Sequence, residues 1–422
     1  MQPYTSLSKS EKQALYASLT KKYNEYCGRG LSLDISRGKP NSDQLDIAQD
    51  LLSYPITAEQ TKIGGVDARN YGIIDGIPEA KKLFGDIMGV DAKNVFVGGN
   101  SSLQLMYDTL SRAMLFGTVD SVRPWCKEEG LKWICVVPGY DRHFKITEVL
   151  GFELISVRMT EGGPDMDEIE RLVKDERVKG MWCVPKYSNP TGNTYSDETV
   201  RRLAKMECAA KDFRIMWDNA YVVHDLYEEG DKLLNIFEEA EKCGHANRVI
   251  GFTSTSKITF PGAGISAMVA SSENLAEVKR NVGVQTIGYD KINQLRHVAY
   301  LRNAENVHNH MMKLANLLRT KFEITLNALS ELEGLEIAEW SVPNGGYFIS
   351  LDVMKGCAKR VFELMRGAGV TLTEVGATFP YGIDPDDTNL RLAPSYPTDE
   401  ELALACEILV VAVKMAALEK LM

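Results

Sequence analysis

Between about residues 90 and 272 the chain repeatedly sets a short apolar run beside an amphipathic stretch, and this alternation limits the possible folds more than any other feature. An apolar run without alternation marks a strand buried on both faces, which is the condition of parallel strands covered by helices. The pattern predicts strands at Val95-Gly99, Trp133-Pro138, Glu153-Met159, Gly180-Pro185, Arg214-Asp218, Arg248-Ser254 and Ile265-Ser271. Helical segments lie between them; after Gly99, for instance, Leu103, Met106, Tyr107, Leu110, Ala113 and Met114 recur on one helical face. The expected class is α/β, a large domain at 61–299 with a mostly parallel seven-stranded sheet flanked by helices.

The texture changes toward both ends. A charged helical pattern opens the chain and leads into the Gly/Pro-punctuated Ser36-Arg37-Gly38-Lys39-Pro40. Beyond residue 300 come a long helical stretch, a strand candidate at Tyr347-Asp352, and a last helix that Thr398 with Glu401 can cap. That helix turns Leu402, Cys406, Leu409, Val413 and Ala416 toward a core. Residues 1–60 and 300–422 together are expected to form a smaller α+β domain.

Composition excludes several classes of function. A net charge of −10 without any long Lys/Arg block argues against a nucleic-acid backbone or an anionic membrane as partner. No stretch reaches the roughly eighteen apolar residues of a membrane span, and the polar start is unlike a signal peptide, so a cytoplasmic location is expected. The eight scattered cysteines form no Cys-x-x-Cys pair and read as reduced core residues, with no disulfide framework and no metal site.

Four local features carry chemistry. Gly98-Gly99-Asn100-Ser101-Ser102 stands where a strand ends and a helix begins, so free N–H groups, hydroxyls and the helix dipole suit a phosphate; a plain N-capped turn has the same sequence signature. Asn189-Pro190-Thr191-Gly192 follows a strand and reads as a tight turn that fixes the Asn, or as an ordinary loop. Asp218 ends the run Arg214-Ile215-Met216-Trp217, and ligands of open α/β sheets gather at such strand ends. A carboxylate there could keep a pyridine nitrogen protonated, with Tyr221 donating to a phenolic oxygen; a helix cap is the other reading. Lys257 lies in Phe252-Thr253-Ser254-Thr255-Ser256-Lys257, where its amine can form an imine with an aldehyde cofactor or simply be solvated.

Taken together, these motifs resemble the fold-type I pyridoxal-phosphate (PLP) dependent aminotransferases, the aspartate aminotransferase superfamily, over about residues 34 to 397. Pro185-Lys186-Tyr187-Ser188-Asn189 and Ser256-Lys257-Ile258-Thr259 look more narrowly like bacterial aspartate aminotransferases related to the catalytic half of MocR-type regulators. The resemblance implies pyridoxal 5'-phosphate as cofactor, Lys257 as its Schiff-base lysine and proton carrier, Asp218 at the pyridine nitrogen, and Asn189 and Tyr221 at the phenolic oxygen. Tyr140 would stack on the ring, and Asn100, Ser101, Ser102 and Ser254 would cradle the phosphate. Tyr71 would reach the phosphate of a neighbouring subunit, which implies a homodimer with shared active sites. Arg391, with Gly38 and Asn189, would hold the substrate's α-carboxylate.

Two positions depart from the family pattern. Gly264 stands where an arginine commonly neutralises the phosphate, and Gln285-Thr286-Ile287-Gly288-Tyr289 lacks the arginine that binds a side-chain carboxylate across the dimer. Arg37, Lys39 and Lys291 are the candidate substitutes, each otherwise a solvated charge. The expected activity is ping-pong transamination from an L-amino acid, aspartate or glutamate, to a 2-oxo acid, 2-oxoglutarate. The alternatives are a β-lyase or decarboxylase of the same fold type, a non-catalytic PLP-sensing regulator, for which the likeness leaves no room for a preceding DNA-binding domain, and a catalytically silent α/β scaffold.

Overall fold

A computed structural model describes residues 2–422. Each predicted central strand forms: β1 (Val95–Val97), β2 (Lys132–Val137), β3 (Glu153–Thr160), β5 (Val178–Cys183), β6 (Arg214–Asp218), β7 (Val249–Ser254) and β8 (Ser266–Val269). An eighth strand, β4 (Gly163–Pro164), extends the expected seven-stranded sheet at the β3 edge. Two residues carry no periodicity, so this strand exists only through its pairing with Met159 and Thr160. The order across the sheet is β1-β8-β7-β6-β5-β2-β3-β4. β7, β6, β5, β2 and β3 run parallel, while β8 is antiparallel to both of its neighbours. Hence the carboxyl ends of β1, β2, β5, β6 and β7 open on one edge.

The sheet is buried on both faces, with Trp133, Trp182 and Phe252 in one core and Ile134, Met181 and Ile215 in the other. Helix α2 (Ser102–Phe116) covers the first face with Leu105, Met106, Leu110 and Ala113. Tyr107, expected on that face, is exposed, because Leu105 and Thr109 hold the buried side of the helix instead. α3 (Asp141–Val149) starts directly after β2.

Both chain ends contribute to another core. Tyr26 of α1 (Lys9–Cys27), Phe322 of α4 (Ala304–Leu329) and Leu409 of α5 (Asp399–Leu421) pack together with Ile349 and Leu392. The last two belong to a three-stranded antiparallel sheet of β9 (Ala338–Trp340), β10 (Ile349–Val353) and β11 (Asn389–Leu392). Thr398 and Glu401 close the expected capping box on α5. Leu33–Asp34 pairs in parallel with Val370–Thr371 and so brings the Ser36-Arg37-Gly38 segment to the mouth of the large sheet.

The eight cysteines are all unpaired, but only Cys135, Cys183, Cys357 and Cys406 are buried. Cys27, Cys126 and Cys243 are exposed, which corrects the reading of all eight as core; they sit at a helix end and in short connections rather than in apolar runs. Among the described residues no helix is long and apolar enough to cross a membrane, and no cluster of His, Cys, Asp and Glu could hold a metal ion.

Candidate active site

The parallel strand ends, the Ser36–Gly38 segment and the β10–β11 region enclose a cavity of about 660 Å³. Of the residues singled out in the sequence, Gly38, Ser101, Ser102, Tyr140, Asn189, Asp218, Tyr221, Ser254, Lys257 and Arg391 line it. Register produces this convergence: Phe252 pairs with Asp218, and Trp217 with Cys183, so residues just past each strand end share one edge.

Asp218 is almost fully buried and caps no helix. Its Oδ2 lies 2.9 Å from His143 Nε2, and the His143 ring stacks on Trp182 at 4.4 Å between centroids. Asp218 Oδ1 is buried without a hydrogen-bond partner in the protein. A carboxylate oxygen left in that state is costly unless a ligand donor meets it. Lys257 Nζ sits 5.1 Å from the centroid of the Tyr221 ring and 5.8 Å from that of Tyr347. Burial among these rings lowers the Lys257 pKa from its ordinary value; Asp218 opposes the shift and Arg391 adds to it. Burial also drives the Tyr221 phenol well up and raises that of Tyr140 to about 12, so both remain protonated donors at neutral pH.

Arg391 projects from β11 with its guanidinium 5.0 Å from the Phe348 ring centroid. Its Nη1 donates to Asp141 Oδ1 at 3.1 Å and to Asn189 Oδ1 at 3.5 Å, and its Nη2 to Thr373 Oγ1 at 3.4 Å. A Cβ at residue 38 would run into the same Phe348 ring, so only glycine lets this backbone lie against it. The Asn189 turn is tight: Gly192 has φ 75° and the Ser188 N–H donates to Asn193 O at 2.8 Å.

The Ser101 side chain makes no capping bond to α2. Its hydroxyl therefore lines the cavity with those of Ser102, Ser254 and Ser256. Asn100 is not among the lining residues; it is exposed, with its amide 3.5 Å from Pro261 O. Gly264 leaves no room for an arginine, since a Cβ there would lie 2.9 Å from Thr255 Oγ1 and 3.0 Å from Phe260 O. Tyr71 is 76% exposed and lies outside the cavity of this single chain. Of the candidate substitute cations, Arg37 lines the cavity, whereas Lys39 covers the Tyr396 ring at 3.8 Å and Lys291 is buried elsewhere.

A family model described as aspartate amino-transferase matches residues 7–422. The chain belongs to the aspartate aminotransferase family. It is 48% identical over 405 residues to the aspartate aminotransferase of Corynebacterium glutamicum, covering 96% of this chain and 94% of that one. The crystal structure of an aspartate transaminase from the same organism superposes with a TM-score of 0.97 at 46% identity, covering 99% of each chain. The α-aminoadipate aminotransferase of Thermus thermophilus, solved with N-(5'-phosphopyridoxyl)-L-leucine, shares the fold at TM-score 0.75 and 22% identity, covering 99% of this chain and 100% of that one. This aminotransferase is thus a fold-type I enzyme of PLP-dependent transamination, acting on small amino and oxo acids, rather than a lyase, a decarboxylase or a silent scaffold.

The cavity of the aminotransferase suits the cofactor on which its family depends. The unpartnered Asp218 oxygen can meet a protonated ring nitrogen, the Ser101 and Ser102 hydroxyls can meet a phosphate beside Ser254, whose hydroxyl donates to Ser256 Oγ at 3.0 Å, and Lys257 and Arg391 line the same cavity. Sequence reasoning missed His143, Asp141, Arg142, Phe348 and Thr373. For the first three a signal existed: they directly follow the Pro138-Gly139-Tyr140 motif, and histidine is scarce, with six in the chain. Phe348 immediately precedes β10 and Thr373 follows the Val370–Thr371 strand, segments that only tertiary packing brings to the cavity.

Proposed function

We propose that this aminotransferase takes its amino group from a dicarboxylic amino acid, aspartate or glutamate, and passes it to 2-oxoglutarate. One observation carries the choice: Arg37 and Arg142 both line the cavity, and neither has an acidic partner among the described residues. Both are solvent-exposed where they line the cavity, so they are hydrated but free to turn to a ligand; beside Arg391, which serves the α-carboxylate, they offer forks to a second carboxylate.

Pyridoxal phosphate, when bound, supplies an aldehyde that condenses with amines and a pyridinium ring that withdraws electrons from the α-carbon. Lys257 Nζ would form the covalent link to it, be released when the substrate's amine takes its place, and then, as a free amine, carry the α-proton from the substrate's α-carbon to the cofactor side. Desolvation helps here, because it favours the neutral, basic amine. Asp218, held by His143, would keep the ring nitrogen protonated. Tyr221 and Asn189 would hold the phenolic oxygen, and Tyr140 would pack on the ring. Ser101, Ser102 and Ser254 would bind the phosphate with neutral donors, Asn100 through its backbone, and Gly38 and Arg391 would receive the α-carboxylate. The chain ends 1–60 and 300–422 form the smaller domain against 61–299. Tyr71 is supplied to the site of a second copy in a homodimer, and the eight unpaired cysteines fit a reducing cytoplasm.

The test is an amino-donor screen against 2-oxoglutarate with the purified protein, using Lys257→Ala as blank. Aspartate or glutamate is expected to lead, and borohydride treatment is expected to leave a pyridoxyl adduct on the Lys257 peptide. Equal turnover by the variant and the wild type, or an apolar amino acid as best donor, would reject the corresponding part of the proposal.

A further inference from the structure

Arg391 is ion-paired with a carboxylate of the protein itself. Asp141, the first residue of α3, places Oδ1 3.1 Å from Arg391 Nη1, and no other acidic group among the described residues pairs with this arginine. The Arg391 side chain is 10% exposed and that of Asp141 35%, so the cation is fixed in the wall while the anion reaches it from the cavity side. Of the Arg391 fork, Asp141 occupies the Nη1 prong, while Nη2 donates to Thr373 Oγ1.

We propose that Asp141 is a built-in counter-ion that the substrate's α-carboxylate must displace, so that it sets how weakly carboxylates bind. The inference rests on the reading of Arg391 as the α-carboxylate group. A guanidinium this buried is costly without an anion, and Asp141 meets that need. An incoming carboxylate brings the same charge to the same nitrogens, and two carboxylates on one fork repel. Once displaced, Asp141 remains in the first turn of α3, where the helix dipole favours its charge. A tethered carboxylate competes at high effective concentration, and apparent affinity falls by the fraction of arginines it occupies.

Asp141→Asn and Asp141→Ser in the holoenzyme test this, with succinate, which carries no transferable group, titrated against the absorbance of the bound cofactor. The succinate Kd and the KM for the amino donor are expected to fall roughly five- to tenfold while kcat changes less than about twofold, the pattern of altered uniform binding. Unchanged or weaker binding in both variants, or kcat and KM moving together, overturns the proposal and makes Asp141 a support for the Arg391 conformation. Arg391→Gln separates the two readings. Loss of succinate binding in that variant upholds the α-carboxylate role, so that a failure at Asp141 then concerns Asp141 alone; undiminished binding removes both.

Discussion

Lys257 illustrates how one residue can be poised by its surroundings at a cost to the fold. Its folded pKa lies below the ordinary lysine value of 10.5, so protonation is disfavoured in the native state relative to the unfolded chain. The destabilisation is complete below the lowered folded pKa and vanishes as pH rises through the unfolded value. Lys257→Met is therefore expected to raise the Tm of the cofactor-free protein at neutral pH, by a margin that shrinks toward pH 10.5, as calorimetry at a series of pH values can check. His143→Phe keeps a ring against Trp182 and removes the one hydrogen bond that the Asp218 carboxylate makes among the described residues. It is expected to lower kcat about tenfold or more and weaken cofactor binding, measured by turnover and by cofactor titration. An unchanged cofactor Kd would mean that Asp218 orients without its histidine.

At the scale of elements, the buried strands were the most legible part of the chain, because a strand covered on both faces must be apolar throughout, and Arg214–Asp218 formed over the residues expected. Helices were less so. α5 was expected to turn one stripe inward, yet Ile408, Val410, Val411 and Ala412 are buried beside Leu409 and Val413. With α1 and α4 packed against it, this helix keeps only a narrow exposed edge, which includes Glu400 and Glu407, to mark its pattern. Its N-terminal signal was local and therefore readable: the Thr398 N–H donates to Glu401 Oε2 at 3.0 Å, and the Glu401 N–H to Thr398 Oγ1 at 3.2 Å. Thr398→Ala is expected to cost about 1 kcal/mol in a denaturant titration with activity retained.

At the scale of the whole molecule, the cavity is closed by segments far apart in the chain, and the most exposed aromatic among the described residues, Tyr71, lies outside it. Tyr71, 76% exposed, acquires a role only if a second chain presents its phosphate cradle to it. Mixing Tyr71→Ala with Lys257→Ala subunits tests the shared site: each variant alone is expected to be weakly active or inactive. Random reassociation should then restore roughly a quarter of wild-type turnover, since half the dimers carry one intact site. Turnover no higher than the mean of the two parents would place Tyr71 outside the partner's site.

The order of Asn189, Asp218 and Lys257 at strand ends, the family, and hence the chemistry were determined by the sequence alone, because each motif is a local run of chain whose position past a strand is fixed by a few neighbours. Tertiary structure decided who stands behind and opposite those residues. His143 behind Asp218, Asp141 on Arg391, and Phe348 filling the space above Gly38 are all contacts between distant segments. Charge pairing and steric fit of that kind depend on distances in space, and nothing in the linear order of residues encodes them directly.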